Sequence, residues 1–240
     1  MFFFKEKPIV FDCFTTNEQA YKWAPIKESR YFIPTWWKDL DGEVPAIPHK
    51  SAEVSTMKRC EGFISLYRKG FMLPLWSDLS ITVGSLKDPK LSYIFASQEK
   101  SMQDHPAWQR GRYLPEPNYA HGKIISPWAV RSNKLVPCSV FQPTWNFEAP
   151  EMIIIPPATV EYKYQASTHV NFFLPVIQVK RQFTIPFNTP LMQIVPQTDK
   201  KFELKLHLVD EKEFRLVQLP VAKFTRNYRT LRSIQEQNDG

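Results

Sequence analysis

Apolar and polar residues alternate along much of this chain, and a period of two predicts β-strands. The clearest example lies within residues 169–197, where Val170, Phe172 and Leu174 fall on one face of a strand. Prolines interrupt the alternation, and a proline is tolerated at strand ends because it has no backbone donor to give to a ladder. The stretch 186–190 holds two prolines and an asparagine. It is therefore predicted to be a turn between two short antiparallel strands, the central hairpin of the fold.

The same pattern predicts strands along the rest of the chain, with turn-forming residues roughly every eight to twelve positions. The predicted strands are 8–14, 71–83 as a strand pair, 91–96, 137–142, 152–155, 159–164, 170–174, 182–185, 191–195 and 203–209. Short strands at this spacing are typical of sandwiches and barrels. We therefore expect a mainly β fold, either a jelly-roll or other β-sandwich or a barrel, of cupin-like or β-clip-like type.

Short helices are predicted in the N-terminal part. Asn17 or Thr16 is a suitable N-cap for a helix over 18–23. Apolar residues at spacings of three and four predict a second helix within 57–67, and Gly70 follows it as a residue that can end a helix.

The C-terminal end has a different pattern from the strands. Apolar residues at helical spacing predict an amphipathic helix over 221–236, with basic residues at its other positions. The chain is therefore expected to form a single mainly-β domain over 1–240, in which 1–70 mixes helices and strands. The C-terminal helix packs on this domain or extends from it. The proline-containing stretches 41–55 and 97–117 are expected to be loops.

The net charge and the spacing of the cysteines bear on which partners and sites the protein can have. The 240 residues carry a formal net charge of +7, which permits contact with nucleic acid or an anionic surface. Cys13, Cys60 and Cys138 lie far apart, which argues against a disulfide framework or a zinc site. The N-terminal stretch lacks the basic region and cleavage site of a signal peptide, and no apolar run is long enough to span a membrane. We therefore expect neither secretion nor membrane insertion.

Tryptophan is unusually frequent, with seven residues, and this residue type is enriched at binding sites. The candidates for a binding surface are Trp36, Trp37, Trp76, Asp78, Trp128 and Trp145. Adjacent side chains on a helix point about 100° apart. Of Trp36 and Trp37, one is therefore expected to enter the core while the other lies at the surface or contacts a partner.

Motifs of enzyme chemistry are scarce. A Gly-x-Ser-x-Gly nucleophile motif and a glycine-rich phosphate loop are both missing from the sequence. A cupin-like iron site needs two histidines and a carboxylate. The candidate metal ligands are His169, His121 and His207, but Asn171 stands where such a site has its carboxylate. No metal site or other cofactor is therefore expected.

The end of the predicted hairpin is similar to the late strands of dUTPase-type β proteins. The resemblance rests on Ile185, Pro190, Leu191, Gln193 and Ile194. The catalytic aspartate of that family has no equivalent here, because residues 159–167 contain only Glu161 as an acid. The resemblance implies shared β geometry and no pyrophosphatase activity.

A second resemblance covers most of the chain. The motifs are PIVFDCFT at 8–15, FIPTWWKDL at 32–40, MKRCEGF at 57–63, LPLWSDLSI at 73–81, KIISPWAV at 123–130, QPTWNF at 142–147 and NTPLMQIVP at 188–196. Together they resemble uncharacterised proteins encoded by marine tailed phages, including T4-like cyanophages. The pattern departs at Glu61, where a proline is expected. The resemblance implies a phage or marine microbial source, and hence a place in the host cytoplasm or in the virion, but no role for any residue.

These observations favour a non-enzymatic structural or interaction protein, with a protein partner or a second copy of itself. The alternative is a cupin-like metal-dependent enzyme of the oxygenase type. The second alternative is nucleic-acid or nucleotide binding, which the basic charge permits.

Overall fold

The structure is a computed structural model, and it describes residues 7–46, 53–84, 93–96, 102–104, 118–146, 155–176, 179 and 181–223. All statements of structure below concern these residues.

The described residues form sixteen strands and four α-helices. The strands are β1 Ile9–Thr15, β2 Lys27–Glu28, β3 Glu43–Pro45, β4 Glu53–Ser55, β5 Phe71–Pro74, β6 Leu79–Val83, β7 Tyr93–Ala96, β8 Met102–Asp104, β9 Tyr119–Ile124, β10 Trp128–Ser132, β11 Pro137–Phe141, β12 Ala158–Glu161, β13 Val170–Pro175, β14 Arg181–Ile185, β15 Pro190–Pro196 and β16 Phe202–Leu208. The helices are α1 Glu18–Trp23, α2 Thr35–Lys38, α3 Glu61–Tyr67 and α4 Glu211–Lys223. Three short 3-10 helices, Ser29–Phe32, Met57–Arg59 and Thr144–Asn146, join them.

The described strands pair into five sheets, and none of these sheets closes on itself. The largest has the order β12-β11-β15-β5-β2. Three sheets have three strands each, in the orders β10-β1-β16, β13-β9-β8 and β14-β6-β7, and β3 pairs with β4 alone. All pairs are antiparallel except β1 with β16. The prediction of a mainly β fold is confirmed.

The strands bury the faces that their alternation predicts. In β1, Ile9, Phe11 and Cys13 are buried while the residues between them are half-buried. The buried residues of four of the five sheets meet in one hydrophobic cluster. Since apolar burial is the main favourable term in folding, this shared cluster is what holds the sheets on one another.

The predicted central hairpin is wrong in its pairing. β14 pairs with β6, and β15 pairs with β5 and β11, so the turn between β14 and β15 carries the chain from one sheet to another. The chain makes a second such crossing between β5 and β6. The two crossings are tied together, because Leu75 N–H donates to the Thr189 carbonyl (2.9 Å) and Asn188 N–H donates to the Leu75 carbonyl (2.8 Å). The predicted strand pair over 71–83 is likewise two strands of different sheets.

Helix α1 forms with its predicted cap, and α3 forms within the predicted stretch 57–67. The Asn17 side chain accepts a hydrogen bond from Ala20 N–H (2.8 Å) at the start of α1. The helix α3 packs Phe63 and Tyr67 into a second, smaller hydrophobic cluster with Met72 of β5. This small cluster is the base on which the candidate site is built.

The predicted loops and the predicted C-terminal helix agree with the structure only in part. The stretch 41–55, expected to be a loop, contains the paired strands β3 and β4. In 97–117 the structure describes only β8, and 152–154 lie outside the described residues. The C-terminal helix α4 begins at Glu211 and not near 221, and the predicted helix beyond residue 223 lies outside the described residues. Within the described chain, no helix has both the length and the apolar character needed to cross a membrane.

Candidate ligand-binding surface

Aromatic residues from three segments meet above the small cluster, and we call them the aromatic surface. They are Trp36 and Trp37 of α2, Phe63 and Tyr67 of α3, and Trp145 of the 3-10 helix Thr144–Asn146. Phe63 is the centre, with ring centroids 5.1 Å from Trp37, 4.8 Å from Tyr67, 5.6 Å from Trp145 and 5.7 Å from Trp36. Aromatic pairs at these separations attract each other beyond their simple burial, so the rings support one another.

Backbone carbonyls hold both tryptophans of α2. The indole N–H of Trp36 donates to the Trp145 carbonyl (3.1 Å), and that of Trp37 donates to the Met57 carbonyl (2.8 Å). The polar edge of each ring is therefore occupied within the protein. Trp36 nevertheless remains 42% exposed and Trp145 45% exposed. Because the indole N–H of Trp36 is occupied, the ring of Trp36 presents apolar surface to solvent.

A partly buried polar link fixes the segment that carries Trp145. The Tyr67 hydroxyl donates to Asn146 Oδ1 (2.6 Å), and the Asn146 amide donates to the Phe32 carbonyl (2.7 Å). Burial raises the pKa of Tyr67 above its usual range, so the hydroxyl keeps its proton and remains a donor. The link holds three segments, distant in sequence, at one place.

A pocket opens beside these rings. It has a volume of about 230 Å³. It is lined by Arg30, Ile33, Trp37, Phe63, Ile64, Tyr67 and Arg68. Its walls are thus apolar and aromatic, with two guanidinium groups.

A larger groove, which we call the basic groove, shares Arg30 and Arg68 with this pocket. Its volume is about 880 Å³. It is lined by Glu28, Arg30, Arg68, Lys69, Gly70 and residues 195–202. Five of the lining residues are basic, namely Arg30, Arg68, Lys69, Lys200 and Lys201, and two are acidic. The groove therefore has an excess of positive charge, which attracts anions.

The backbone of residues 68–70 is held firmly at the junction of pocket and groove. The Gln193 amide nitrogen lies 2.9 Å from the Leu66 carbonyl, 3.1 Å from the Lys69 carbonyl and 3.0 Å from Ser29 Oγ. Ser29 N–H donates to the Gly70 carbonyl (3.1 Å) from the other side. These contacts satisfy carbonyls at the end of α3 and fix the direction in which Arg68 and Lys69 leave the backbone.

The structure brings together three of the six predicted surface residues, Trp36, Trp37 and Trp145. Trp76 and Trp128 lie in the core, 1% and 0% exposed, because Trp128 begins the buried strand β10 and Trp76 follows β5, and both belong to the main cluster. They are therefore not surface residues as predicted. Asp78 is exposed, and its carboxylate accepts from Phe187 N–H (2.7 Å). It stabilises the sheet crossing that follows β14.

The three candidate metal ligands lie in different surroundings. His207 Nε2 is 2.8 Å from Asp12 Oδ1, and its ring stacks on Phe14. His121 stacks on Phe173 in β13. Burial, and then the Lys123 ammonium, lower the pKa of His169 to about 4. No group of three or more metal-ligating side chains is found in the described part of the chain, and His49 and His105 lie outside it.

The cationic residues of the groove were not predicted as a site. Four of the five come from neighbouring pairs in the sequence, Arg68 with Lys69 and Lys200 with Lys201, and these pairs are separated by more than a hundred residues. Such pairs are frequent on any protein surface. The closeness of their backbones, through the pairing of β5 with β15, is what unites them.

In comparisons with known proteins, no protein-family model matches this chain, and no curated protein sequence matches it either. The resemblance to phage-encoded proteins therefore stays a prediction.

Proposed function

We propose that this chain is a non-enzymatic binding protein, and that the aromatic surface and the basic groove together form its contact region. The observation that carries the proposal is the exposure of Trp36 and Trp145, whose rings contact Phe63. Phe63 in turn lines the pocket that shares Arg30 and Arg68 with the cation-rich groove. Tryptophan and arginine are the residue types that most often dominate binding energy. Here both occur on supports that packing and hydrogen bonds hold in place.

The rigid construction favours binding over a purely structural role. Leaving two large indole rings in water forgoes hydrophobic stabilisation, on the order of 25 cal/mol for each Å² of apolar surface. Both rings are held by contacts that fix their orientation. A binding surface benefits from such preorganisation, because less conformational entropy is lost when the partner arrives.

The proposal is tested by replacing one exposed ring and measuring binding to three classes of partner. The three partners are a short single-stranded oligonucleotide, a short acidic peptide and a second copy of the chain. Binding of the first two is measured by fluorescence anisotropy, and self-association by sedimentation. Trp36→Ala should weaken the interaction that is observed by about tenfold.

The matched control is Trp23→Ala. Trp23 is 68% exposed on α1, and it belongs to neither the aromatic surface nor the basic groove. This variant should bind like the wild type. Equal loss in both variants, or no binding to any of the three partners, would refute the proposed function.

The finer predictions about architecture and source are kept as part of this proposal. The jelly-roll or β-clip-like arrangement agrees with open sheets around a shared core, and a phage source agrees with a small binding protein of this kind. The cupin-like enzyme stays a prediction, and no contact of the described residues favours it over binding.

A further inference from the structure

We propose that the partner is a single-stranded nucleic acid. Its bases stack on the exposed rings of Trp36 and Trp145, and its phosphates contact the cations of the basic groove. This inference rests on the proposed function, because it assigns a ligand class to the same contact region.

The exposed part of Trp36 is a surface for stacking. Its indole N–H is already taken by a backbone carbonyl, and the residue remains 42% exposed. A ligand that meets this surface therefore gains by stacking a flat group on it. Unpaired bases are such groups, and they stack on aromatic side chains whatever their sequence.

The groove has the charge that a phosphate backbone requires. Of its two acids, Glu28 is already paired with Arg30 (2.9 Å). Among the described residues, the side chains of Arg68, Lys69 and Lys201 make no ion pair and no hydrogen bond. These three cations are therefore available to a ligand. They are spread along a groove of about 880 Å³, which suits a chain of several phosphates better than one small anion.

The pocket connects the aromatic surface to the basic groove, so one strand can contact both. Arg30 and Arg68 line both the aromatic pocket and the basic groove. Arg30 also lies over the Tyr31 ring, 5.2 Å from its centroid, and Tyr31 is exposed. A strand whose bases stack on Trp36 or Trp145 therefore reaches these guanidinium groups by passing Phe63 and the pocket. In a duplex the base faces are covered, so a duplex satisfies only the cations.

The test is a titration of the full chain with labelled single strands of DNA and RNA, measured by fluorescence anisotropy at several salt concentrations. A duplex of the same length and a polyglutamate chain serve as competitors. Both single strands should bind, and the duplex and polyglutamate should compete at least tenfold less well. Trp36→Ala should weaken binding to the single strand by roughly tenfold, the effect of losing about one stacked base.

A charge variant tests the groove separately. Arg68→Gln with Lys69→Gln removes two cations, and the slope of log affinity against log salt should fall by about 1.4, at about 0.7 for each lost phosphate contact on a single strand. The control is Lys205→Gln with Lys212→Gln, which lowers the net charge equally at exposed residues outside the groove. This control should leave the slope unchanged.

The outcomes separate this inference from the proposed function. Equal competition by polyglutamate, equal effects of the two charge variants, or no binding of either strand would overturn the nucleic-acid assignment. In each of these cases the proposed function stands if Trp36→Ala, and not Trp23→Ala, weakens binding to the acidic peptide or to a second copy. If no partner class depends on Trp36, both are overturned.

Discussion

Gly70 lines the basic groove and packs directly against strand β15. Its φ is +69°, in the left-handed region that favours glycine. A Cβ atom at this position would lie 2.0 Å from the carbonyl oxygen of Ile194 in β15. The absence of a side chain thus allows the turn after α3 to lie directly against the sheet, and Arg68 and Lys69 reach the groove for that reason.

Replacing Gly70 by alanine should therefore destabilise the protein. The left-handed backbone costs a non-glycine residue roughly 1–3 kcal/mol, and the clash with Ile194 adds to this cost because backbone must move. We expect Gly70→Ala to lower the free energy of unfolding by at least about 2 kcal/mol, measured by chemical denaturation.

Gly62→Ala is the matched control, because a Cβ at Gly62 meets nothing closer than Cys60 Sγ at 3.8 Å. Gly62 lies in the first turn of α3, where alanine is the better helix former by up to about 1 kcal/mol. Gly70→Ala should thus lower the free energy of unfolding, and Gly62→Ala should raise it. A stability loss of the same size in both would show that the close approach of Gly70 to β15 is unimportant.

At the scale of elements, Gln193 connects β15 to the end of α3. The side chain is fully buried, and its amide nitrogen contacts the Leu66 and Lys69 carbonyls. Its Oε1 atom is buried and has no hydrogen-bond partner among the described residues. The side chain is therefore a donor to the helix terminus, and its own carbonyl oxygen finds no donor among the described residues.

Gln193→Glu keeps the shape but replaces this donor by a carboxylate oxygen, which faces two carbonyl oxygens. An uncompensated buried charge costs on the order of 3–5 kcal/mol, so the variant should be less stable than the wild type by about 3 kcal/mol at pH 7. Burial should raise the pKa of the new carboxyl above its unfolded value near 4.3. The folded state then binds the proton more tightly, so the loss should shrink as the pH falls toward 4.

The control for this variant is Gln197→Glu, at the residue that follows β15. Gln197 is exposed, and its amide donates to Ser139 Oγ (2.9 Å). Surface changes of this kind alter stability by about 0.5 kcal/mol or less. A stability difference between Gln193→Glu and wild type that stays constant from pH 7 to pH 4 would contradict a buried carboxylate as the cause.

The sequence predicts where helices and strands lie along the chain better than it predicts which strands pair with each other. The alternation at Val170–Pro175 and the cap at Asn17 are local signals, and both elements appear where they were predicted. The hairpin over 182–195 failed because alternation shows which face of a strand is buried and not which strand lies beside it. Its prolines mark a crossing between sheets, and this depends on contacts with Leu75, more than a hundred residues away.

At the scale of the whole molecule, the site was only partly predictable for the same reason. Adjacent Trp36 and Trp37 were conspicuous in the sequence, and Trp145 was one tryptophan among seven. Their meeting depends on the link from Tyr67 through Asn146 to Phe32. A pattern with periods of two or 3.6 residues carries no information about such a link, and so the composite surface appears only after folding.

The stability of the whole molecule should also depend on pH through His169. Burial is the main reason that the pKa of this histidine falls from 6.5 to about 4, and the nearby Lys123 ammonium adds to it. The Nδ1 atom of His169 is buried and has no hydrogen-bond partner among the described residues. The folded protein therefore holds a neutral imidazole that the unfolded chain would protonate readily below pH 6.5.

The sign follows from where the proton binds. Above pH 6.5 both states are neutral at this residue, and the folded state loses nothing. As the pH falls from 6.5 toward 4 the unfolded chain takes up the proton first, so the free energy of unfolding should decrease, by about 2 kcal/mol at pH 5.

In His169→Gln this contribution is absent, while the other titratable groups remain. Denaturation curves between pH 7 and pH 4.5 should therefore show a smaller loss of stability in the variant than in the wild type, and parallel losses would mean that His169 is protonated equally easily in the folded and the unfolded chain.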